Sequence, residues 1–243
     1  MAVWSRIEEV RLLAGEAILL GQWDIPRTAT PPLPQAVLVP NEVDDDRDAT
    51  RHHPTVRPLL DVALGLIQRG IATFRCDGGA DRGLAPIWKT ASRHDLMSRQ
   101  RIGIIACGPR ACTDVVASLD DLRPAATPLG IVLVAPDPDL DPELLGSVPA
   151  VAVIAGAGPG RPGKPEAASL AQRGRDAEVT IQVSILPDLT ERLMREEDWV
   201  AGRGVTHPGL VSLCATAMDD FLKPTWERAA RPPGTAIGVQ GDV

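Results

Sequence analysis

The residues with the clearest capacity for chemistry lie in one short stretch near the middle of the chain. An apolar run at 102–106 has the length and composition of a buried strand, and it ends at Cys107-Gly108-Pro109-Arg110. Small and apolar residues then recur at helical spacing up to Leu119. A strand, a sharp turn and a helix in so few residues form a layout that can present a nucleophile at the turn. No Ser stands there, so Cys107 is the candidate nucleophile.

Cys107 could act in this way only if its thiol were easily ionised. A helix N-terminus or a neighbouring His lowers the pKa of a Cys. The predicted helix supplies the first of these. The candidate for the second is His207, the only His late in the chain. We interpret His207 as a surface residue before Pro208 and Cys107 as a small buried residue at a strand end, and we keep a Cys107/His207 pair as the alternative.

Arg110 is unusual for its position. It would occupy the first turn of the helix, where the helix dipole disfavours a cation. An anionic partner would offset this cost, either Glu42 or Glu191 from facing loops or an acidic ligand. The alternative is a side chain turned to solvent.

Other polar residues are predicted at the same edge of the sheet. Asn41 and Glu42 follow the apolar run 35–40, and Asp77 follows the run 71–75. The carboxyl ends of parallel strands are where α/β proteins bind ligands, although turn chemistry explains Asp77 equally well. The acidic loop 41–48 is interpreted as solvated, and the loop 156–163 lacks the Gly-Lys-Ser/Thr ending of a phosphate-binding loop.

Composition excludes several classes of protein. The 243 residues carry a net charge of −7, which argues against nucleic acid or anionic membrane as the main partner. The four Cys form no CxxC pair, so no metal site is expected. No cofactor-binding motif is present, and no cofactor is expected. A reducing cytoplasm is the expected location of the protein. No apolar run approaches 18 residues, and no signal pattern opens the chain. The Pro, Ala, Arg, Gly and Asp content is typical of a bacterial gene rich in GC.

The elements that must position these residues alternate between strands and helices. This alternation predicts a single α/β domain over 1–243, with a mostly parallel central sheet, helices on both faces, a core at about 9–222 and a polar tail at 223–243. An antiparallel N-terminal hairpin is predicted at 9–23. The remaining strands are predicted at 35–40, 71–75, 102–106, 130–135, 148–155 and 179–186, and the helices at 54–70, 84–99, 109–119, 164–173 and 208–222.

This order of elements resembles the α/β-hydrolase fold in its small dienelactone-hydrolase-like form, without a large lid. Three stretches carry the resemblance. The run 35–40 is similar to the strand before the family's oxyanion loop. The stretch 70–77 is similar to the family's strand and turn with the pattern Gly-hydrophobic-x-hydrophobic-x-x-x-Asp, and 101–105 to the strand that leads into its nucleophile elbow. The resemblance implies a Ser or Cys nucleophile, an acid and a His.

The sequence departs from the family at all three of these positions. Family elbows read Gly-x-Ser-x-Gly or Gly-x-Cys-x-Gly, but here the run is 106–110, with Gly108 in the nucleophile's place. Pro159 stands at the acid position and Glu191 near the base position. Because each member of a triad depends on the others, their joint departure predicts a triad that has been lost.

These observations predict a non-hydrolytic enzyme of the cyclase, lyase or isomerase type, as in biosynthesis, with a mostly apolar small-molecule substrate. The turn would form the floor of a pocket that orients the substrate. We expect Glu191 and Arg110 to be the catalytic groups, with Cys107 in the hydrolytic alternative. The expected substrate contacts are Asn41, Glu42, Asp77, Gly108 and Pro109. Two alternatives remain: a Cys107-dependent hydrolase or thioesterase, and a non-catalytic binding or scaffold protein. A homodimer is left open.

Overall fold

A computed structural model describes residues 5–41, 46–49, 56–78, 84–122, 125–156, 164–190, 193–201 and 204–223. Within these ranges the strands are β1 Ser5–Ala14, β2 Ala17–Pro26, β3 Leu33–Val39, β4 Ala72–Cys76, β5 Met97–Cys107, β6 Gly130–Val134, β7 Val151–Gly156 and β8 Ile181–Leu186. The helices are α1 Pro58–Gln68, α2 Leu84–Ala91, α3 Pro109–Ala117, α4 Leu119–Leu122, α5 Lys164–Asp176, α6 Glu196–Val200 and α7 Pro208–Leu222, with a 3₁₀ helix at Pro142–Leu145.

Within the described ranges the strands form one eight-stranded sheet in the order β1-β2-β4-β3-β5-β6-β7-β8. β1 is antiparallel to β2, and β2 to β4, while the other neighbours are parallel. The middle strands are buried along their whole length, as expected for a parallel sheet covered on both faces. The single α/β sheet and its antiparallel hairpin agree with the sequence prediction.

Two apolar clusters cover the two faces of the sheet. One includes buried residues of α2, α3, α4 and α5, and the other includes buried residues of α1 and α7. α7 lies close to the sheet because Gly103 and Gly130 are paired side by side in β5 and β6. A Cβ atom on Gly130 would lie 2.3 Å from the ring of Phe221, and one on Gly103 would lie 2.7 Å from the sulfur of Met218. The sheet therefore has a shallow notch into which α7 fits.

A buried ion-pair network fastens the segment after β3 to the sheet. The Arg75 side chain at the end of β4 is 1% exposed, and its Nη2 lies 2.7 Å from Oδ2 of Asp24 on β2. Arg75 also pairs with Asp48, whose other carboxylate oxygen lies 4.0 Å from Arg57. Buried charges are tolerated only when they are paired in this way. The network holds 46–49 against the carboxyl edge of the sheet.

The boundaries of the predicted elements differ from the observed ones mainly before the central turn. The helix predicted at 84–99 ends at Ala91, and β5 begins at Met97. The residues Ser98 and Arg99, predicted as the end of that helix, instead belong to the partly exposed start of β5. The short helices α4 and α6 were not predicted, because four or five residues are too few to show a helical period.

Candidate functional site

The turn between β5 and α3 has Gly108 at its apex. β5 ends at Cys107, Gly108 has φ of +100° and ψ of 162°, and Pro109 begins α3. This backbone conformation is accessible to glycine and costly for any residue with a Cβ atom. The turn is held by Gly108 N–H donating to the Val134 carbonyl at 2.8 Å and by Cys112 N–H donating to the Gly108 carbonyl at 3.0 Å. Gly108 is therefore the residue presented between strand and helix, and Cys107 is the last residue of the strand.

The side chain of Asn41 fills the space where a nucleophile's side chain would stand. A Cβ atom built on Gly108 would lie 2.3 Å from Oδ1 of Asn41 and 2.4 Å from its Cγ. Non-bonded heavy atoms cannot lie this close, so a side chain at position 108 would force Asn41 or the turn to move. Oδ1 is held by the backbone N–H of Arg110, which donates to it at 3.1 Å. The structure thus brings Asn41 and Gly108 together, with the carboxamide occupying the site, and their predicted role as substrate contacts stays a prediction.

The turn also lacks the donor that acyl-transfer chemistry needs. In a nucleophile elbow, the backbone N–H of the residue after the nucleophile helps to bind the oxyanion. That residue here is Pro109, which has no N–H. The next amide, that of Arg110, already donates to Asn41. A tetrahedral oxyanion at Gly108 would therefore find neither of these two amides available.

Cys107 is part of the core. It is 2% exposed and belongs to the same apolar cluster as Leu210 and Cys214 of α7. Burial raises the pKa of its thiol to about 12. The expected help from the helix N-terminus does not offset this burial, because the turn presents Gly108 and not Cys107 at the start of α3. At neutral pH the Cys107 side chain is a neutral thiol.

His207 is a buried helix cap, and the prediction of a surface residue is wrong. It is 4% exposed and precedes α7, where its Nδ1 accepts the N–H of Gly209 at 3.0 Å. Nε2 lies 2.9 Å from Oδ1 of Asp188, so the proton is assigned to Nε2. Both ring nitrogens are therefore engaged, and no lone pair remains for a nucleophile. The signal for this role was His followed by Pro at a predicted helix start, the pattern of a capped N-terminus.

Asp188, which the sequence did not single out, stabilises this cap. Burial raises the pKa of its carboxyl, but hydrogen bonds from His207 and its own backbone, together with the charge of Arg195, outweigh that effect and lower the pKa below its usual 3.8. The Arg195 Nε lies 3.6 Å from Oδ2 of Asp188. His207 and Asp188 thus form a charge-assisted structural pair in the segment between β8 and α7.

Arg110 and Asp77 are engaged within their own neighbourhoods. The Arg110 side chain is 54% exposed, and its Nε lies 3.8 Å from the Asp114 carboxylate one helical turn away, a pair not foreseen from the sequence. Asp77 accepts the backbone N–H of Arg47 at 3.1 Å, which ties 46–49 to the end of β4. Glu42, Glu191 and Pro159 lie outside the described residues, so their predicted roles stay predictions.

Two clefts lined by described residues lie away from the turn. One, of about 390 Å³, lies between the end of α3 and the 3₁₀ helix, with Asp120 and Glu143 at its rim. A second, of about 10 Å³, lies beside α5. The pocket predicted over Gly108 stays a prediction. Across the described ranges, no group of three or more His, Cys, Asp or Glu side chains is placed to hold a metal ion, and no helix is long and apolar enough to span a membrane.

Comparison with known proteins gives matches in structure and not in sequence. No protein-family model matches the chain, and neither does any curated protein. The similar structures include the dienelactone hydrolase of Anabaena variabilis, with 15% identity over 90% of this chain and all of the other, at a TM-score of 0.61. A dienelactone hydrolase-like promiscuous phosphotriesterase, P91, from metagenomic libraries has 16% identity over 90% and 97% of the two chains, at 0.62. Est1E of Butyrivibrio proteoclasticus has 11% identity over 92% and 99%, at 0.63.

Proposed function

Since the chain has the α/β-hydrolase fold of these structures, we propose that it is a non-hydrolytic protein of that fold that holds a small, mostly apolar molecule at the β5–α3 turn. One observation carries the proposal: the Asn41 carboxamide fills the volume that a side chain on Gly108 would need. The absent N–H of Pro109 supports it independently. The similar structures that are hydrolases share only 10–16% identity with this chain, so they are evidence for its fold and not for its chemistry.

Within this proposal we favour an enzyme of the cyclase, lyase or isomerase type. Such reactions can be accelerated by holding a flexible substrate in a reactive shape, which requires no nucleophile. Asn41 is suited to orient a ligand because its oxygen is fixed by the Arg110 amide, so the direction of its NH₂ group is fixed too. Glu42 and Glu191 are the acidic groups we expect beside it.

A Cys107-dependent hydrolase is the second candidate. The specific observation in its favour is that Cys107 directly precedes the turn, in a fold shared with a dienelactone hydrolase. It would require β5 and α3 to shift by one residue so that the thiol reaches the turn, and it would require a thiol pKa far below about 12.

A hydrolysis panel separates the two candidates. Purified protein is assayed with p-nitrophenyl esters, acyl thioesters and unsaturated lactones, beside Cys107→Ala and, as a matched control, Cys112→Ala, which removes another fully buried thiol. We expect the wild type and both variants to hydrolyse none of these substrates faster than buffer does. Turnover that is lost in Cys107→Ala and kept in Cys112→Ala would overturn the proposal in favour of the hydrolase.

A binding screen tests the positive half of the proposal. Small apolar compounds are screened by thermal shift against the wild type and Asn41→Ala, and each ligand is then incubated with protein and analysed by mass spectrometry. We expect ligands whose stabilisation is lost in Asn41→Ala. Conversion of such a ligand to an isomer or elimination product supports the enzyme, whereas binding without conversion supports a binding protein.

A further inference from the structure

Among the described residues, β1 is an edge strand with one long side unpaired. It pairs over all ten residues with β2 and is the outermost strand of the sheet in the described ranges. Ala14 and Ala17 close a two-residue turn, and the closing pair of such a hairpin is hydrogen-bonded. Hydrogen-bonded pairs then alternate along the ladder. Hence the backbone groups of Ile7, Glu9, Arg11 and Leu13 point away from β2, towards the free edge.

The same four residues share one exposed face of the hairpin. Ile7 is 60% exposed and Leu13 is 71% exposed, and they continue onto exposed Ile18 and Leu20 of β2. Glu9 and Arg11 lie between the two apolar residues. Glu9 is 73% exposed, although its Oε1 lies 3.6 Å from Arg47. Arg11 is exposed and, among the described residues, forms no ion pair.

The order apolar, acidic, basic, apolar is complementary to itself when it is read in the opposite direction. We propose that β1 pairs antiparallel with β1 of a second copy about a two-fold axis at Val10, joining the two sheets into one. In this register Glu9 faces the partner's Arg11, and Ile7 faces the partner's Leu13. The N–H and C=O groups of all four residues point to the free edge. The same register therefore forms the backbone hydrogen bonds between the two copies and pairs their side chains favourably.

Neighbouring registers are disfavoured by charge. Moving the axis to residue 9 places Glu9 against Glu9 of the second copy, and moving it to residue 11 places Arg11 against Arg11. An axis at residue 8 would place Glu9 against Ile7 of the second copy, and an axis at residue 12 would place Arg11 against Leu13. An axis that lies between two residues would pair a residue whose N–H and C=O point to the free edge with one whose groups already bond to β2, so the two strands could not form their hydrogen bonds. Charged side chains commonly protect edge strands from association. Here their arrangement selects one partner and one register instead.

Charge exchange is the decisive test. The molar mass of the full chain, 25.8 kDa as a monomer, is measured by light scattering and sedimentation over a range of concentrations. We expect a dimer for the wild type, a monomer for Arg11→Glu, and a restored dimer for the exchange of both charges, Glu9→Arg with Arg11→Glu. Arg175→Glu on α5, which packs at the opposite edge of the sheet, is the control and should remain dimeric. Circular dichroism checks that each variant is folded.

A cysteine probe tests the register itself. Val10 would face Val10 of the second copy in a non-hydrogen-bonded pair, where Cα atoms are about 4.5 Å apart and a disulfide can form. Val10→Cys should therefore give a covalent dimer on mild oxidation, whereas Glu8→Cys, which would face Leu12 of the second copy, should not. The four native thiols are buried. A wild type that stays monomeric at its highest soluble concentration overturns the proposal, as does a dimer indifferent to Arg11→Glu.

Discussion

At Gly108, the side chain of Asn41 occupies the space in which a nucleophile elbow would present its reactive side chain. The Asn41 carboxamide reaches the apex of the turn, and the two amides that follow are either missing or already bonded. These features are linked, because Asn41 can bind the Arg110 N–H only while position 108 lacks a side chain. Restoring a nucleophile by one substitution would therefore disturb its neighbour as well.

Gly108→Ser tests this linkage. At a φ of +100°, backbone strain alone should lower the free energy of unfolding by about 1–3 kcal/mol. The clash of the new side chain with Asn41 should add to this loss. In urea unfolding, Gly108→Ser should cost less in an Asn41→Ala background than in the wild type, since the contact is gone. Equal costs in both backgrounds would mean that Asn41 does not fill the site.

The buried thiol of Cys107 should make stability fall at alkaline pH. Its pKa is raised by burial from 9.0 to about 12. The folded chain therefore keeps a proton that the unfolded chain releases above pH 9, and the stability present below pH 9 is lost as pH rises towards 12. Each such thiol contributes a slope of about 1.4 kcal/mol per pH unit in that window.

The measurement is urea unfolding at several pH values from about 8, below that window, to about 10.5, inside it. Cys107→Ala should be less stable than the wild type at pH 8 because it leaves a cavity, yet its stability should fall less steeply with pH. A slope equal to that of the wild type would show that Cys107 ionises in the folded state, which would favour the hydrolase.

At the scale of elements, Arg75 joins β4 to β2 and to the segment after β3. Arg75→Met is expected to lower the free energy of unfolding by about 3–5 kcal/mol, because it leaves Asp24 buried without its cation. Asp48→Asn should cost less, since Asp48 is more exposed and Arg75 keeps Asp24. Urea unfolding of both variants checks the order. A larger loss for Asp48→Asn would contradict it.

The elements were largely predictable from sequence, and the contacts between them were not. Continuous apolar runs such as 130–135 identify buried strands, and β6 is found at Gly130–Val134. The apex at Gly108 was also foreseen, since the register of strand and helix fixes it. The Asn41 contact and the pairing of Arg75 with Asp24 depend on strands distant in sequence that become neighbours only in the sheet. His207 was misjudged because local pattern does not report burial.

At the scale of the whole molecule, the sheet has two different edges. β1 carries a charged, self-complementary face, while β8 at the other end carries uncharged side chains that are half-buried except for the exposed Gln182. An association of two copies through β1 would leave both β5–α3 turns unobstructed, since each turn lies near the middle of its own sheet. Assembly and ligand binding should therefore be separable, and the dimer variants should bind ligand as the wild type does.

The notch formed by Gly103 and Gly130 has a consequence for synthesis on the ribosome. The helix that fills it, α7, is the last described element, and one of the two apolar clusters depends on it. While the nascent chain is being extended, the part of that face that α7 covers stays open to water even after all eight described strands and α1 have emerged. Exposed apolar surface of this kind favours aggregation. The nascent chain therefore passes through an interval in which a chaperone would have an apolar surface to bind.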